Sequence, residues 1–449
     1  MNQARTRAIV IHIEFKNRLT AREKHAAPMR SAQARLEEAR GLALAVGVEV
    51  VDAIIVTLPI IRPNSLIGEG KVRALGEVIA GKGAELAIIN AQLSPVQQRN
   101  LERAWNAKVL DRTALILEIF GERARTREGA LQVELAHLQY QKSRLVKSWT
   151  HLERQRGGFG FLGGPGESQL EIDRRLIQER ISRIENELAK VKRTRALHRQ
   201  SRARVPYPIV ALVGYTNAGK STLFNRLTNS NVAAADLLFA TLDPTMREVG
   251  LPHGRKIILS DTVGFISELP TMLIAAFRAT LEEVLSADLL LHVRDISHPD
   301  SEAQAADVER VLDELGVDEL RRRRMIEVWN KEDLISEEDV RRALVSSARR
   351  REGIAIVSAL MGQGVHHLLE LIEQRLAAAA LTFEIKLSAE DGQDLSWLYS
   401  RGEVLARTDD DQGMVRLAVR FDPAVAPLAQ SRFGDRLKSI DQGLRAAAE

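Results

Sequence analysis

Eight consecutive residues, Gly214, Tyr215, Thr216, Asn217, Ala218, Gly219, Lys220 and Ser221, carry the spacing G-x-x-x-x-G-K-[ST]. A short apolar run from Ile209 to Val213 precedes them, and Thr222 to Leu227 reads as the opening of a helix. Strand, glycine loop and helix are the context in which this spacing holds phosphate. Successive backbone N–H groups wrap the anion, whose charge also meets a helix N-terminus. Lys220 would reach the β- and γ-phosphates of a nucleoside triphosphate, and the Ser221 hydroxyl, with Thr222 beside it, would ligate Mg2+.

Three further stretches stand at the right places downstream. Asp261, Thr262, Val263 and Gly264 follow an apolar run ending at Leu259. A carboxylate there can hold Mg2+ through water, and the Gly264 N–H can bond a γ-phosphate. Asn330, Lys331, Glu332 and Asp333 follow the run Ile326–Trp329. The Asp333 carboxylate can accept from guanine N1–H and the N2 amino group, which adenine does not offer, so the pattern favours GTP over ATP. The Lys331 stem would pack over the base, and a backbone N–H from Ser358, Ala359 or Leu360 would meet guanine O6. Between the glycine loop and Asp261 lies Phe239, Ala240, Thr241, Leu242, Asp243, Pro244 and Thr245. One threonine here must close on the metal ion in the triphosphate state; Thr241 is the candidate and Thr245 the alternative. Lys220, Thr241 and Gly264 are thus the catalytic candidates, and Ser221, Thr241 and Asp261 the metal candidates.

The elements that must position these groups can be read from pattern. Short apolar runs at Ile209–Val213, Lys256–Leu259, Leu289–Val293, Ile326–Trp329 and Ile354–Val357 suit a parallel sheet covered on both faces. A helical stretch through Met272, Ala275, Ala276, Ala279 and Val284 separates two of them. This α/β nucleotide domain is expected over 205–378. Before it, strands at Ala8–Phe15, Val48–Leu58 and Leu86–Asn90 alternate with helices over Arg30–Val46, from Gly70 to Ile79, and from Ser94, with Pro95 at its first position. The run Val109–Leu117 closes a small α/β domain, 1–126, with a mainly parallel sheet. The tail, 379–449, reads as a small α+β module: a strand at Phe383–Leu387, a helix near Gln393–Tyr399 and a hairpin through Val404–Val419.

Between the two α/β domains, 127–204, the pattern is heptad-like. Leu131, Leu135, Leu138, Leu145, Trp149 and Leu152, then Ile177, Ile181, Ile184, Leu188 and Val191, predict an antiparallel helical hairpin. Its joint, from Arg156 to Gly166, holds six glycines in eleven residues together with Phe159 and Phe161. Ordering that many glycines is entropically costly, so a partner surface is the more economical way to fix the tip at 157–166. From Lys142 to Arg204 there are sixteen Lys or Arg against seven Asp or Glu. Such a run is either a solvated helix face or a nucleic-acid contact. The aromatic tip favours RNA backbone contact with base stacking, through Arg156, Phe159, Phe161, Arg174, Arg175, Lys192 and Arg193.

Composition adds bounds. The 449 residues allow roughly three domains, and the formal charge of +4 says little until its location is known. No apolar run approaches 18 residues, which predicts no membrane span. The absence of cysteine excludes a disulfide framework and thiolate chemistry, and suits a cytoplasmic protein. A monomer is expected, with contact to membranes at most peripheral and transient.

The strings around Gly214–Arg226, Phe239–Thr245 and Asp261–Ile266, with Gly163-Gly-Pro-Gly-Glu-Ser-Gln-Leu-Glu171 and the stretch Arg123–Leu135, resemble the HflX family of translation-factor-related GTPases. The resemblance covers about Ala8 to Ala378. It implies a cytosolic GTPase that binds the ribosome, mainly its large subunit and ribosomal RNA, and splits stalled or idle ribosomes, notably under heat stress. It also implies that hydrolysis is stimulated by the ribosome. The family's N-terminal part has been associated with adenine nucleotides, but no phosphate loop is visible there in this sequence. Two positions bear on mechanism. Phe265 stands where many related enzymes place a water-positioning Gln, and an apolar ring cannot orient water, so slow intrinsic hydrolysis is expected. Asn217 stands where some potassium-dependent GTPases ligate K+, which makes K+ a second candidate ion beside Mg2+. An RNA chaperone with GTP as a timer, or a switch acting on a protein partner, are the rival readings.

Overall fold

The computed structural model describes residues 5–15, 30–155, 169–202, 207–230, 238–239, 241, 245–267, 283–336, 342, 353–388, 390–409, 413–421 and 425–440. The hairpin tip with Arg156, Phe159 and Phe161 lies outside the described residues, as do Ala240, Leu242, Asp243 and the expected helical positions from Met272 to Ala279.

The first sheet joins β1 (Arg7–Phe15), β2 (Glu49–Leu58), β3 (Leu86–Asn90) and β4 (Lys108–Asp111) in the order β2-β1-β3-β4, every pair parallel. Six successive buried residues in β1 reflect cover on both faces. One face carries α2 (Glu69–Gly81) and α3 (Pro95–Trp105), packing Leu75, Ile79, Leu101 and Trp105 on Ile9 and Ile11. Helix α3 starts with a reciprocal capping box between Ser94 and Gln97. The other face carries α1 (Ala32–Ala45) and α4 (Arg112–Arg123). The run Val109–Leu117 is not one element: it turns from β4 to α4 at Asp111, whose carboxylate caps the helix by accepting the Ala114 N–H at 2.8 Å.

Helices α5 (Arg127–Gln155) and α6 (Gln169–Arg202) form the hairpin. Cross-helix pairs Arg127–Glu187, Arg180–Glu134 and Lys142–Gln178 run in opposite chain directions, as an antiparallel pair requires. On α6, Ile181, Ile184 and Leu188 are buried as the heptad predicts. On α5 the best-buried apolar positions are Val133 and Ala136, while Leu131, Leu135, Leu138 and Leu145 are half-buried. The reason is geometric. Helix α5 packs on the N-terminal domain as well as on α6, so its apolar surface is broader than a two-helix seam. Tyr140 and Arg144 of α5 both bond the Asp111 carboxylate, at 2.8 and 2.5 Å.

The second sheet has the order β10-β9-β8-β5-β7-β6. Its strands are β5 (Ile209–Gly214), β6 (Thr245–Gly250), β7 (Lys256–Asp261), β8 (Leu289–Asp295), β9 (Ile326–Asn330) and β10 (Ile354–Ile356). Five are parallel; β6 runs antiparallel along the edge of β7. With one buried residue in six, β6 lacks the apolar run that marks its neighbours. Helix α7 (Lys220–Thr228) follows β5 across the glycine loop. One core cluster runs from Val10, Leu42 and Phe120 of the N-terminal domain into Ala211, Val213, Tyr215 and Phe265. The two α/β layers therefore share buried surface next to the glycine loop.

The tail sheet joins β11 (Leu381–Ser388), β12 (Glu403–Asp409), β13 (Met414–Phe421) and β14 (Leu437–Ser439) in the antiparallel order β12-β13-β11-β14. Helices Gly392–Arg401 and Ala426–Phe433 fall between the strands, giving β-α-β-β-α-β, the ferredoxin-like arrangement. Phe383, Ile385, Leu387, Leu417, Val419 and Phe421 form its one-sided core.

Candidate nucleotide site

The glycine loop joins the end of β5 to α7, and its glycines are demanded by close approach. A Cβ on Gly214, φ +153°, would lie 2.2 Å from the Val293 carbonyl oxygen; one on Gly219, φ +92°, would lie 2.2 Å from Asn330 Nδ2. Asn217, φ 60°, is exposed at the loop's apex. Lys220 is buried and its ammonium donates to the carbonyls of Gly214 at 3.0 Å and Tyr215 at 2.7 Å. Burial pulls its pKa down to about 8 against the opposing pull of Asp261. A cation held by carbonyls alone inside the protein is one that an anionic phosphate would stabilise.

Three oxygens converge beside it. Ser221 Oγ lies 2.8 Å from Thr241 Oγ1, and both hydroxyls reach Asp261 Oδ2, at 2.8 and 3.0 Å. Burial pushes the Asp261 carboxyl up, against bonds from Ser221 and Thr241 and the charge of Lys220. Its second oxygen, Oδ1, is buried with no hydrogen-bond partner among the described residues. An all-oxygen donor set with one orphaned carboxylate oxygen fits a small hard cation such as Mg2+, and these three residues would hold it. Thr245, the alternative, starts β6 in register with Asp261.

Gly264 closes the site from above. A Cβ there would meet Thr216 Cα and Cγ2 at 2.8 Å and Lys220 Nζ at 3.1 Å. The segment is laced to the glycine loop by its backbone: Phe265 N–H donates to the Gly214 carbonyl at 3.1 Å, and Thr216 N–H to the Phe265 carbonyl at 2.8 Å. The Phe265 ring is only 2% exposed and sits in the shared core. It does not face the phosphate region, so the position contributes backbone rather than a ring poised over water.

Asn330 links the loops. It is buried, its Nδ2 donating to the Ala218 carbonyl at 2.8 Å and its Oδ1 accepting the Ala359 N–H at 2.9 Å. Ser358 N–H is given to Gln363, leaving the Leu360 N–H as the one of these three without a partner among the described residues. Lys331, φ 66°, pairs with Asp295 at 2.8 Å, and Asp333 and Leu360 are exposed beside the turn, with Glu332 half-buried.

Several sequence candidates are not presented to a nucleotide by their side chains. Thr262 donates its hydroxyl to the Leu212 carbonyl at 2.5 Å inside the sheet, and Val263 is buried with it. Phe239 stacks edge-on against Phe120 of α4 at 4.7 Å, because the shared core claims its ring. The Tyr215 hydroxyl turns to Glu38 of α1 and Arg30 rather than to the phosphate region. Arg174, Arg175 and Arg193 are exposed on α6, with Arg175 3.8 Å from Glu179; the side chain of Lys192 lies outside the described residues.

Sequence reading missed Arg30, Glu38, Arg112 and Ser267, which form a buried polar cluster against Tyr215. Arg30 precedes α1, Glu38 lies on it and Arg112 opens α4, so these charges are spread too widely along the chain to form a motif.

Comparison with known proteins matches the chain to four family models in succession. They are GTP-binding GTPase N-terminal over residues 33–121, GTP-binding GTPase Middle Region over 123–202, 50S ribosome-binding GTPase over 209–331, and HflX C-terminal domain over 343–443. GTPase HflX of Magnetococcus marinus is 49% identical over 88% of this chain and 90% of its own, and GTPase HflX of Escherichia coli is 42% identical over 86% and 89%. A crystal structure of SsGBP in complex with GDP aligns with 82% of this chain and 98% of its own, at 24% identity and a TM-score of 0.47. Glycine loop, oxygen cluster and Asn330 turn thus belong to a GTP hydrolase, and with relatives matched over nearly their whole length the chain is a member of the HflX GTPase family.

Proposed function

We propose that the chain binds the ribosome, chiefly its large subunit and ribosomal RNA, and uses GTP binding and hydrolysis to dissociate stalled or idle ribosomes under heat or other stress. The observation that carries this reading is the match of residues 209–331 to the family described as 50S ribosome-binding GTPase, next to a hairpin rich in Lys and Arg. In the cycle, the loop from Gly214 to Ser221 cradles the phosphates and Asp333 reads guanine. Ser221, Thr241 and Asp261 would hold Mg2+, which would supply neutralisation of phosphate charge. Gly264 offers its N–H to the γ-phosphate, and release of phosphate frees that segment and Thr241.

Arg174, Arg175 and Arg193 on α6, with Lys192, Arg156, Phe159 and Phe161, supply the RNA contact. Asn217, exposed in the loop, would add an oxygen ligand to K+, so hydrolysis should run faster in K+ than in Na+. The protein acts in the cytoplasm as a monomer; among the described residues no helix is long and apolar enough to cross a membrane. Light scattering of intact ribosomes tests the dissociation step. Scattering should fall on adding the chain with GTP, and substitution of Phe159 and Phe161 by Ala should abolish the fall without changing GTP affinity. Tight binding to free ribosomal RNA with no loss of scattering would instead favour an RNA chaperone that uses GTP as a timer.

A further inference from the structure

Ser267 lies three residues beyond Gly264, and all of its polar groups are engaged by residues outside its own segment. Its N–H donates to the Tyr215 hydroxyl at 2.9 Å. Its carbonyl accepts from Arg112 Nη2 at 2.9 Å, and its hydroxyl donates to Glu38 Oε1 at 3.2 Å. The same Glu38 carboxylate accepts from Arg112 at 2.7 Å and from Arg30 and the Tyr215 hydroxyl. The three charged side chains are 5 to 7% exposed.

Tyr215 is a residue of the glycine loop, whereas Glu38 and Arg112 belong to α1 and α4 of the N-terminal domain. One buried carboxylate therefore joins three parts of the chain: the loop, the segment after Gly264, and the N-terminal layer. The backbone lacing between Gly214, Thr216 and Phe265 holds one end of that segment. The Glu38 cluster holds the other end, at Ser267. Gly264, over Thr216 and Lys220, directly precedes the laced Phe265, so both ties act on it from its C-terminal side, the Ser267 tie backing the Phe265 lacing. Arginine suits this task because its planar fork can satisfy carboxylate and carbonyl together, as Arg112 does for Glu38 and Ser267.

We propose that Glu38, although outside the nucleotide-binding domain, is a positioning residue for GTP hydrolysis. It ties Tyr215 to Ser267 and so keeps the Gly264 N–H where a γ-phosphate will be. Without the tie the segment swings on its remaining backbone bonds, and fewer molecules hold the geometry that hydrolysis requires; misplacement by about 1 Å can cost about a hundredfold in rate. GDP has no γ-phosphate, so its binding does not depend on where Gly264 sits. The proposal rests on GTP hydrolysis alone and not on any action at the ribosome.

The test is single-turnover GTP hydrolysis by the full chain without ribosomes, for Glu38→Gln and Ser267→Ala, alongside the Kd for GDP. Glu38→Gln keeps the shape and one acceptor while removing the charge that Arg30 and Arg112 share. It should slow hydrolysis about tenfold or more with the GDP Kd within about threefold, which separates positioning from general damage to the site. Ser267→Ala, which removes one hydroxyl and leaves the arginines paired, should show a smaller loss in the same direction. If Glu38→Gln does not fold, Ser267→Ala decides alone. A rate unchanged or raised, or a rate loss matched by an equal loss of GDP affinity, overturns the proposal. Since no ribosome is present, a failure here is distinct from a failure of the ribosome reading.

Discussion

Replacing Asn330 by Ala tests how the two halves of the nucleotide site are held together. In the folded chain this amide is 2% exposed and joins the Ala218 carbonyl of the glycine loop, at 2.8 Å, to the Ala359 N–H, at 2.9 Å. Ala218 and Ala359 are themselves 1 and 2% exposed, so water cannot readily take the place of the amide. Each buried group left without its partner costs about 1–3 kcal/mol. If about 2 kcal/mol of that total separates the competent arrangement of the loops from relaxed ones, nucleotide affinity falls about thirtyfold. GDP and GTP should weaken alike, since phosphate and base contacts shared by both are disturbed. Titration with a fluorescent GDP analogue measures the change directly. A Kd within about threefold of the parent would refute the idea that Asn330 holds the loops in register.

Two other outcomes follow from burial. Phe265→Ala empties a core position and should destabilise the fold by about 3–5 kcal/mol, read as a lowered Tm, while the folded fraction still binds GDP. Unchanged stability would mean that the ring is not part of the shared core. Burial alone would push the Glu38 carboxyl up, but Arg112 and Arg30, with the Tyr215 hydroxyl, hold it down at about 2. Its stabilising contribution is therefore complete above about pH 4.5 and is lost as pH falls toward 2, a linkage of about 3 kcal/mol. Urea unfolding of the parent and of Glu38→Gln should accordingly converge in stability as pH drops below 4.5; parallel curves across that window would contradict the pairing.

Much of the nucleotide domain was legible because its signals are local. An apolar run of five or six residues ending in a glycine turn specifies β5, the loop and α7 within twenty positions. The Asp261 and Asn330 turns can be placed because each follows such a run. The parallel strands β7, β8 and β9 lie where those runs predict, one or two residues longer at most. The edge strand β6 was invisible because an edge needs little apolar content. The break at Asp111 was missed because a capping carboxylate inside an apolar run looks like a strand interruption. The heptad was legible on α6 but misassigned the buried face of α5, which has two neighbours rather than one. The Glu38 cluster could not be read at all. Glu38 and Tyr215 are 177 positions apart, and no periodicity records that two such residues meet. The ring of Phe265 was placed by motif alone, and a motif fixes position in sequence, not the direction of a side chain.

Phosphate release from GTP and from ATP, each with and without isolated large ribosomal subunits, bears most directly on the central claim. Strong stimulation of GTP hydrolysis by the subunit, with ATP turned over poorly under every condition, is the expected result. A GTPase whose rate is indifferent to the subunit would contradict the proposed ribosome action while leaving the nucleotide site as described.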